Sequence, residues 1–208
     1  KTFHEGGAKF LTSPALSSDG DRVAFVRHTE DQLQNRDATE IWLTSITGGT
    51  PVRLTEVGGA QWAPTWSPDG SWIAFTSQSR TPAYMKVRVG YQDKPQILMP
   101  IDTSVIQAIP EWSPRGDWIA IGMAKGTILI SPDGTKQKLT HSPSFSGCGW
   151  SKDGTILYGQ DTTARKLYAY NVDTGVEKVL ADLPPGVQLK SVWNPGVRLS
   201  LSYDGKSL

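Results

Sequence analysis

Short apolar runs alternate along this chain with polar, glycine-containing turns, and one twelve-residue phrase carries most of them. Its clearest copy is PTWSPDGSWIAF, residues 64–75. The pattern predicts a strand ending at Trp66, a turn over Ser67, Pro68, Asp69 and Gly70, and a second strand over 72–75. In such a turn Pro68 presets φ, Asp69 bonds to its own backbone and Gly70 takes a positive φ. Further copies are PALSSDGDRVAF (14–25), PEWSPRGDWIAI (110–121), CGWSKDGTILYG (148–159) and a shortened LSLSYDGKSL (199–208). The turn glycines Gly20, Gly70, Gly116, Gly154 and Gly205 stand 50, 46, 38 and 51 residues apart.

A more variable hairpin follows each full copy: residues 39–55, 83–99, 126–140 and 165–181, each an apolar run, a glycine-containing turn and a second run. The Ser131-Pro132-Asp133-Gly134 turn sits where Gly48-Gly49 sit in the first unit. It is therefore expected to close an outer hairpin rather than to begin a new unit. Four strands per unit at this spacing predict an all-β fold, a β-propeller of four-stranded antiparallel blades. About five blades are expected: residues 13–55, 56–100, 101–140 and 141–182, with 183–208 as a partial fifth. HEGGAKFLT, ending at Thr12, parallels ITGGTPVRLT, ending at Thr55, so residues 1–12 are expected to supply the closing strand of that last blade. Alternatively the two ends are the sides of a cut in a larger propeller, completed by a second chain or copy.

Composition narrows the functional classes. The net charge is +1, with basic residues scattered among acidic ones, which argues against nucleic acid as a partner. No apolar run approaches the length of a membrane-spanning helix. The single cysteine, Cys148, takes the place held by Pro64 and Pro110 and reads as a small packing residue. Six of the eight tryptophans recur on the strands: Trp66, Trp112 and Trp150 at one template position, Trp72 and Trp118 at a second, and Trp42 on a third strand. Repetition at fixed places is what packing between sheets requires. The turn aspartates stand too far apart for a calcium loop. His4, His28 and His141 follow no metal-ligand spacing, and no nucleophile elbow or phosphate loop occurs. The chain is expected to be non-catalytic, with no cofactor and no metal.

Recognition is then expected where the copies differ most. The connections between second and third strands are HTEDQLQNRDA (28–38), QSRTPA (78–83), almost nothing, and DTTAR (161–165). They share one end of each blade with the connections that lead into the next blade. Trp62 and Trp193 fall off the repeat template in those connections. Together with Arg80, Asp102, Glu111, Phe145 and Arg165 they form the predicted partner-binding set, for a protein or peptide bound on the loops or in a central channel.

The phrase W-S-P-D-G-x-x-I-A-F over 66–75, with I-W-L-x-x-x-x-G-G-x-x-x-x-L-T over 41–55, resembles the TolB-like (WD40-like) propeller repeat. That resemblance implies a scaffold or sensor that binds other proteins, in an extracytoplasmic, periplasmic setting. Residues 13–55, with a polar insert ending in Asp37-Ala38-Thr39-Glu40-Ile41-Trp42-Leu43, are also similar to the first blade of the propeller in prolyl oligopeptidase-family peptidases. That likeness implies a propeller gating access to a catalytic domain that has no counterpart in these residues.

Overall fold

A computed structural model describes residues 10–31, 36–56, 60–78, 82–90, 94–101, 109–123, 126–140, 145–161 and 165–182. Sixteen strands form four antiparallel sheets of four, with no helix among the described residues. The first sheet is β1 (Phe10–Leu16), β2 (Arg22–Asp31), β3 (Arg36–Ser45) and β4 (Val52–Arg53). The second is β5 (Gln61–Trp66), β6 (Trp72–Ser77), β7 (Ala83–Arg88) and β8 (Gln96–Pro100). The third is β9 (Glu111–Trp112), β10 (Ile119–Met123), β11 (Gly126–Ile130) and β12 (Gln137–Leu139). The fourth is β13 (Phe145–Trp150), β14 (Ile156–Asp161), β15 (Lys166–Asn171) and β16 (Glu177–Asp182). In every sheet the strands pair in chain order, the meander of a propeller blade. The expected partial fifth blade lies outside the described residues. The chain divides into two compact units, residues 1–101 and 102–208, with two blades in each.

The repeated turn explains its own composition. Ser67 N–H donates to Trp72 O and Gly70 N–H to Ser67 O, both at 2.9 Å, which closes the hairpin. The Ser67 hydroxyl donates to Asp69 Oδ1 at 2.5 Å and accepts the Trp72 N–H at 2.9 Å. Ser17–Asp19 and Ser151–Asp153 repeat the serine-to-aspartate bond at 2.5 and 2.6 Å. The Ser131–Asp133 turn makes it too, at 2.6 Å, and joins β11 to β12, an outer hairpin as the sequence predicts. Serine hydroxyls and backbone N–H groups hold these carboxylates ionised, so Asp133 and Asp153 titrate near 2 instead of 3.8. A depressed folded-state value stabilises above the unfolded-state value and loses that contribution as pH falls through the folded one. The melting temperature should therefore fall between about pH 4 and pH 2, a drop that Asp153→Asn should reduce in a thermal-melt series; an identical pH profile in the variant would contradict the assignment.

Within each unit the two blades pack face to face. In the first unit Ala24, Val26 and Ile41 of the first blade meet Trp66, Ile73, Phe75 and Val87 of the second in one buried cluster. The Trp66 indole N–H crosses the interface to the Ala15 carbonyl at 2.8 Å. Arg22 lies over the Trp66 ring at 5.0 Å and donates to Gly70 O at 3.2 Å. In the second unit Trp118, Ala120 and Leu129 meet Leu157, Tyr170 and Val172. There Arg115, standing where other copies have aspartate, grips Asp173 with two bonds of 2.9 and 2.8 Å and also pairs with Asp117 at 2.7 Å.

Two strand boundaries differ from the expectation, for one reason each. Residues 10–12 belong to β1, paired with β2 (Leu11 with Arg27, Thr12 with Val26), and not to a strand closing the last blade. A bulge between Thr12 and Ala15, with Ser13 at φ 50°, throws the pattern out of phase there. Proline lacks the N–H that a regular ladder would use, so Pro14 marks a bulge inside the strand and not its start. The second blade repeats the device between Trp62 and Thr65, with Ala63 at φ 55°. The polar stretch 28–38 is not an open loop: β2 and β3 stay paired through Thr29 with Ala38, Glu30 with Asp37 and Asp31 with Arg36.

Candidate interaction face

The β2–β3 hairpin sets the geometry of the loop-bearing end in the first unit. Both strands are ten residues long, whereas those of the other blades have six or fewer. Three residue pairs lie beyond His28, where the pairing with β1 ends, an extension of about 10 Å at 3.4 Å per residue. At the base of the extension Thr12 Oγ1 and His28 Nε2 share a 2.8 Å hydrogen bond whose donor depends on the imidazole tautomer. Thr39 stands opposite His28 on the same face; its buried hydroxyl has no hydrogen-bond partner.

The chain is delivered to this end by a threonine joint. Ile41 N–H donates to Thr55 Oγ1, which donates in turn to Gln61 Oε1, both at 3.0 Å. In the second unit Thr127 N–H donates to Thr140 Oγ1 at 3.0 Å. The repeated Leu-Thr at the end of a blade thus ties its third strand to its last, and in the first unit also to the head of the next blade. Nothing in the composition signals this role; only the recurrence of Thr55 and Thr140 at the same place does.

Trp62 is placed by that joint, but not on a connection. It lies in β5 opposite Thr76, half-buried against the margin of the first core cluster, beside the bulge at Ala63. In the fourth blade Phe145, Asp161, Lys166 and Asp182 line up in register across all four strands at the loop-bearing end. Lys166 Nζ binds Asp182 Oδ1 at 2.5 Å, and this bond raises the lysine above its ordinary pKa. Arg165, half-buried at φ 55°, immediately precedes β15, so the structure brings Phe145 and Arg165 to one end of one blade. Glu111 lies on β9, half-buried and two residues before the Ser113 turn, which puts it toward the opposite end of its strand. Arg80, Asp102 and Trp193 lie outside the described residues, and of Phe145 only the backbone is described. Among the described residues no cluster of His, Cys, Asp or Glu is arranged to hold a metal ion.

The turn-bearing end contrasts with this. There the carboxylates Asp19, Asp69, Asp133 and Asp153 are committed to serine hydroxyls, and Asp173 to Arg115, which holds its carboxyl below the usual range. Arg115 stands where the other copies carry aspartate, and that reversal of charge in the repeat is the sequence signal that marks it.

Comparison with known proteins supports both likenesses read from the sequence. No family model matches the chain. A curated relative, the uncharacterized peptidase YuxL of Bacillus subtilis, is 26% identical over 150 residues, covering 71% of this chain and 22% of its own length. TolB from Acinetobacter baumannii superposes with a TM-score of 0.62 at 19% identity, over 83% of this chain and 44% of that one. A puromycin hydrolase gives a TM-score of 0.62 at 15% identity, over 83% of this chain and 29% of that one. The chain therefore has the β-propeller fold, and it spans less than half the length of each of these relatives.

Proposed function

We propose that this chain is a non-catalytic propeller scaffold, TolB-like in role, that recognises a protein or peptide through the loop-bearing ends of its blades. The observation that carries this reading is where backbone strain is held. The described non-glycine residues at positive φ, Ser13, Ala63 and Arg165, lie on strands or connections that shape that end, beside the Thr12–His28 pair, Trp62 and Phe145. Such conformations cost of order 1–3 kcal/mol each and gather at binding sites. An extracytoplasmic setting accords with the TolB likeness. Phage-displayed peptides selected against the purified chain, followed by hydrogen exchange, test the reading. Protection is expected at 28–39, 61–63 and 161–166. Protection confined to the serine–aspartate turns, or no selected peptide, would overturn it.

A second reading is favoured by the match to a peptidase: a propeller that gates the catalytic domain of a prolyl oligopeptidase-family enzyme. The short share of YuxL that is covered, 22%, leaves room for such a domain in that relative. Sequencing the gene downstream of these residues separates the readings. A G-x-S-x-G phrase in an alternating strand–helix pattern would decide for the peptidase.

A further inference from the structure

Four of the described turns place aspartate directly before glycine: Asp19–Gly20, Asp69–Gly70, Asp133–Gly134 and Asp153–Gly154. That pair of residues carries a reaction of its own. A glycine nitrogen, with no Cβ beside it, can attack Cγ of the preceding aspartic acid; water leaves and a succinimide ring forms. When water then opens the ring at the backbone carbonyl, the chain runs on through the side chain as isoaspartate. The main chain is one CH2 longer, an α-carboxylate is set free, and the composition is unchanged. No oxidant or reductant takes part. The reaction needs the carboxyl in its acid form and the glycine N–H free to lose its proton.

The folded turns oppose both requirements. In each, a serine hydroxyl donates to the aspartate at 2.5 or 2.6 Å. The N–H two residues on donates to the same oxygen at 3.0 or 3.1 Å. Each glycine N–H is given to the serine carbonyl at 2.8 or 2.9 Å. Conversion therefore waits for the turn to open, and opening is easiest where few buried contacts hold a segment. Gly70 and Gly154 are buried, and a Cβ on either would stand 2.8 Å from an atom of Arg22 or Arg115 in the neighbouring blade. The Asp19 turn is braced by Arg22, which binds Asp19 Oδ2 at 3.1 Å and reaches Gly70 O at 3.2 Å. The Asp133 turn instead leads into β12, an outer strand of three residues that are all exposed, and Gly134 is half-buried. β12 is tied to the fourth blade through Lys138 Nζ on the Val172 carbonyl at 2.8 Å, a bond at the end of a flexible side chain and not at the turn.

We propose that the Asp133–Gly134 peptide is a covalent ageing site, where aspartate converts to isoaspartate, and that the serine hydroxyl of each turn slows this reaction. The added CH2 moves Gly134 N–H away from the Ser131 carbonyl and so loosens β12 from β11. The freed α-carboxylate is the group that a carboxyl methyltransferase of the repair type, using S-adenosylmethionine, takes as substrate.

The test is to incubate the native chain, and the same chain in urea, at neutral pH. Isoaspartate is then located by peptide mapping and quantified by methyl transfer from labelled S-adenosylmethionine with an isoaspartyl methyltransferase. In urea the four sites should convert at similar rates. In the native chain Asp133 should lead, while Asp69 and Asp153 fall at least about tenfold below their own rates in urea. Ser131→Ala should raise the native rate at Asp133 about tenfold, the gain in acid form for each pKa unit restored, and leave Asp69 and Asp153 unchanged. If that variant unfolds, all four rates rise together, and Ser151→Ala, which should act on Asp153 alone, takes its place. A native Asp133 no faster than Asp69 and Asp153, native rates equal to those in urea, or a folded serine variant with no local effect would each overturn the proposal.

Discussion

Replacing Trp66 with alanine should lower the unfolding free energy by about 3–5 kcal/mol, the usual loss for a large buried aromatic. The indole is 9% exposed, fills the cluster between the first two blades and donates across it to the Ala15 carbonyl at 2.8 Å. Trp66→Phe keeps most of the packing but loses that hydrogen bond, so it should still cost about 0.5–1.5 kcal/mol. Trp112 occupies the same template position and behaves differently. It is half-buried, and its indole N–H is buried without a hydrogen-bond partner. Phenylalanine there removes an unsatisfied donor and should leave stability within about 0.5 kcal/mol of wild type, or raise it. Urea unfolding of the two phenylalanine variants measures the contrast. Equal losses would mean that the repeated tryptophans act by bulk alone and that the bond to Ala15 contributes nothing.

Gly154→Ala should cost more than Gly20→Ala or Gly70→Ala, at about 2–5 kcal/mol. Part of this is conformational: Gly154 sits at φ +70°, where an L side chain costs about 1–2 kcal/mol. The rest is steric, about 1–3 kcal/mol for overpacking. A Cβ there would stand 2.8 Å from Arg115 Cγ, 3.0 Å from Ser113 Oγ and 3.2 Å from the Arg115 backbone nitrogen. Those atoms belong to the turn of the neighbouring blade, whose arginine is held by Asp173 and Asp117 and cannot easily retreat. Gly20 shares the backbone conformation, φ +77°, but has nothing within 4 Å, so Gly20→Ala should show the conformational cost alone. Gly70→Ala should fall between, because its near neighbour at 2.8 Å is the far end of the flexible Arg22 side chain, not backbone. Equal losses at Gly20 and Gly154 by chemical unfolding would show that neighbouring turns do not nest.

The order of strands was legible because each hairpin is closed by local chemistry. Serine, aspartate and glycine at fixed offsets form the turn whatever surrounds it, and the copies repeat often enough to be aligned by eye. For the same reason the Ser131 turn is legible in the sequence as the closure of an outer hairpin. The boundaries at Pro14 and Pro64 were not legible, because a proline reads equally as a strand start or as a bulge. Pairing with the neighbouring strand decides between them. This ambiguity put Trp62 on a connection, and the candidate face changes with its true place, half-buried on β5 and braced against the core.

What the residues by themselves determined is the all-β class, the four-strand unit, the turns and the positions that pack between blades, since each depends on contacts close in sequence or repeated along it. Tertiary structure alone decided which polar groups are consumed and which remain. Arg115 finds Asp173 58 positions away, Trp66 finds the Ala15 carbonyl 51 positions away, and Thr39 is left with a buried hydroxyl that has no partner. These pairings depend on how one sheet lies over the next, and short-range pattern carries no record of that distance.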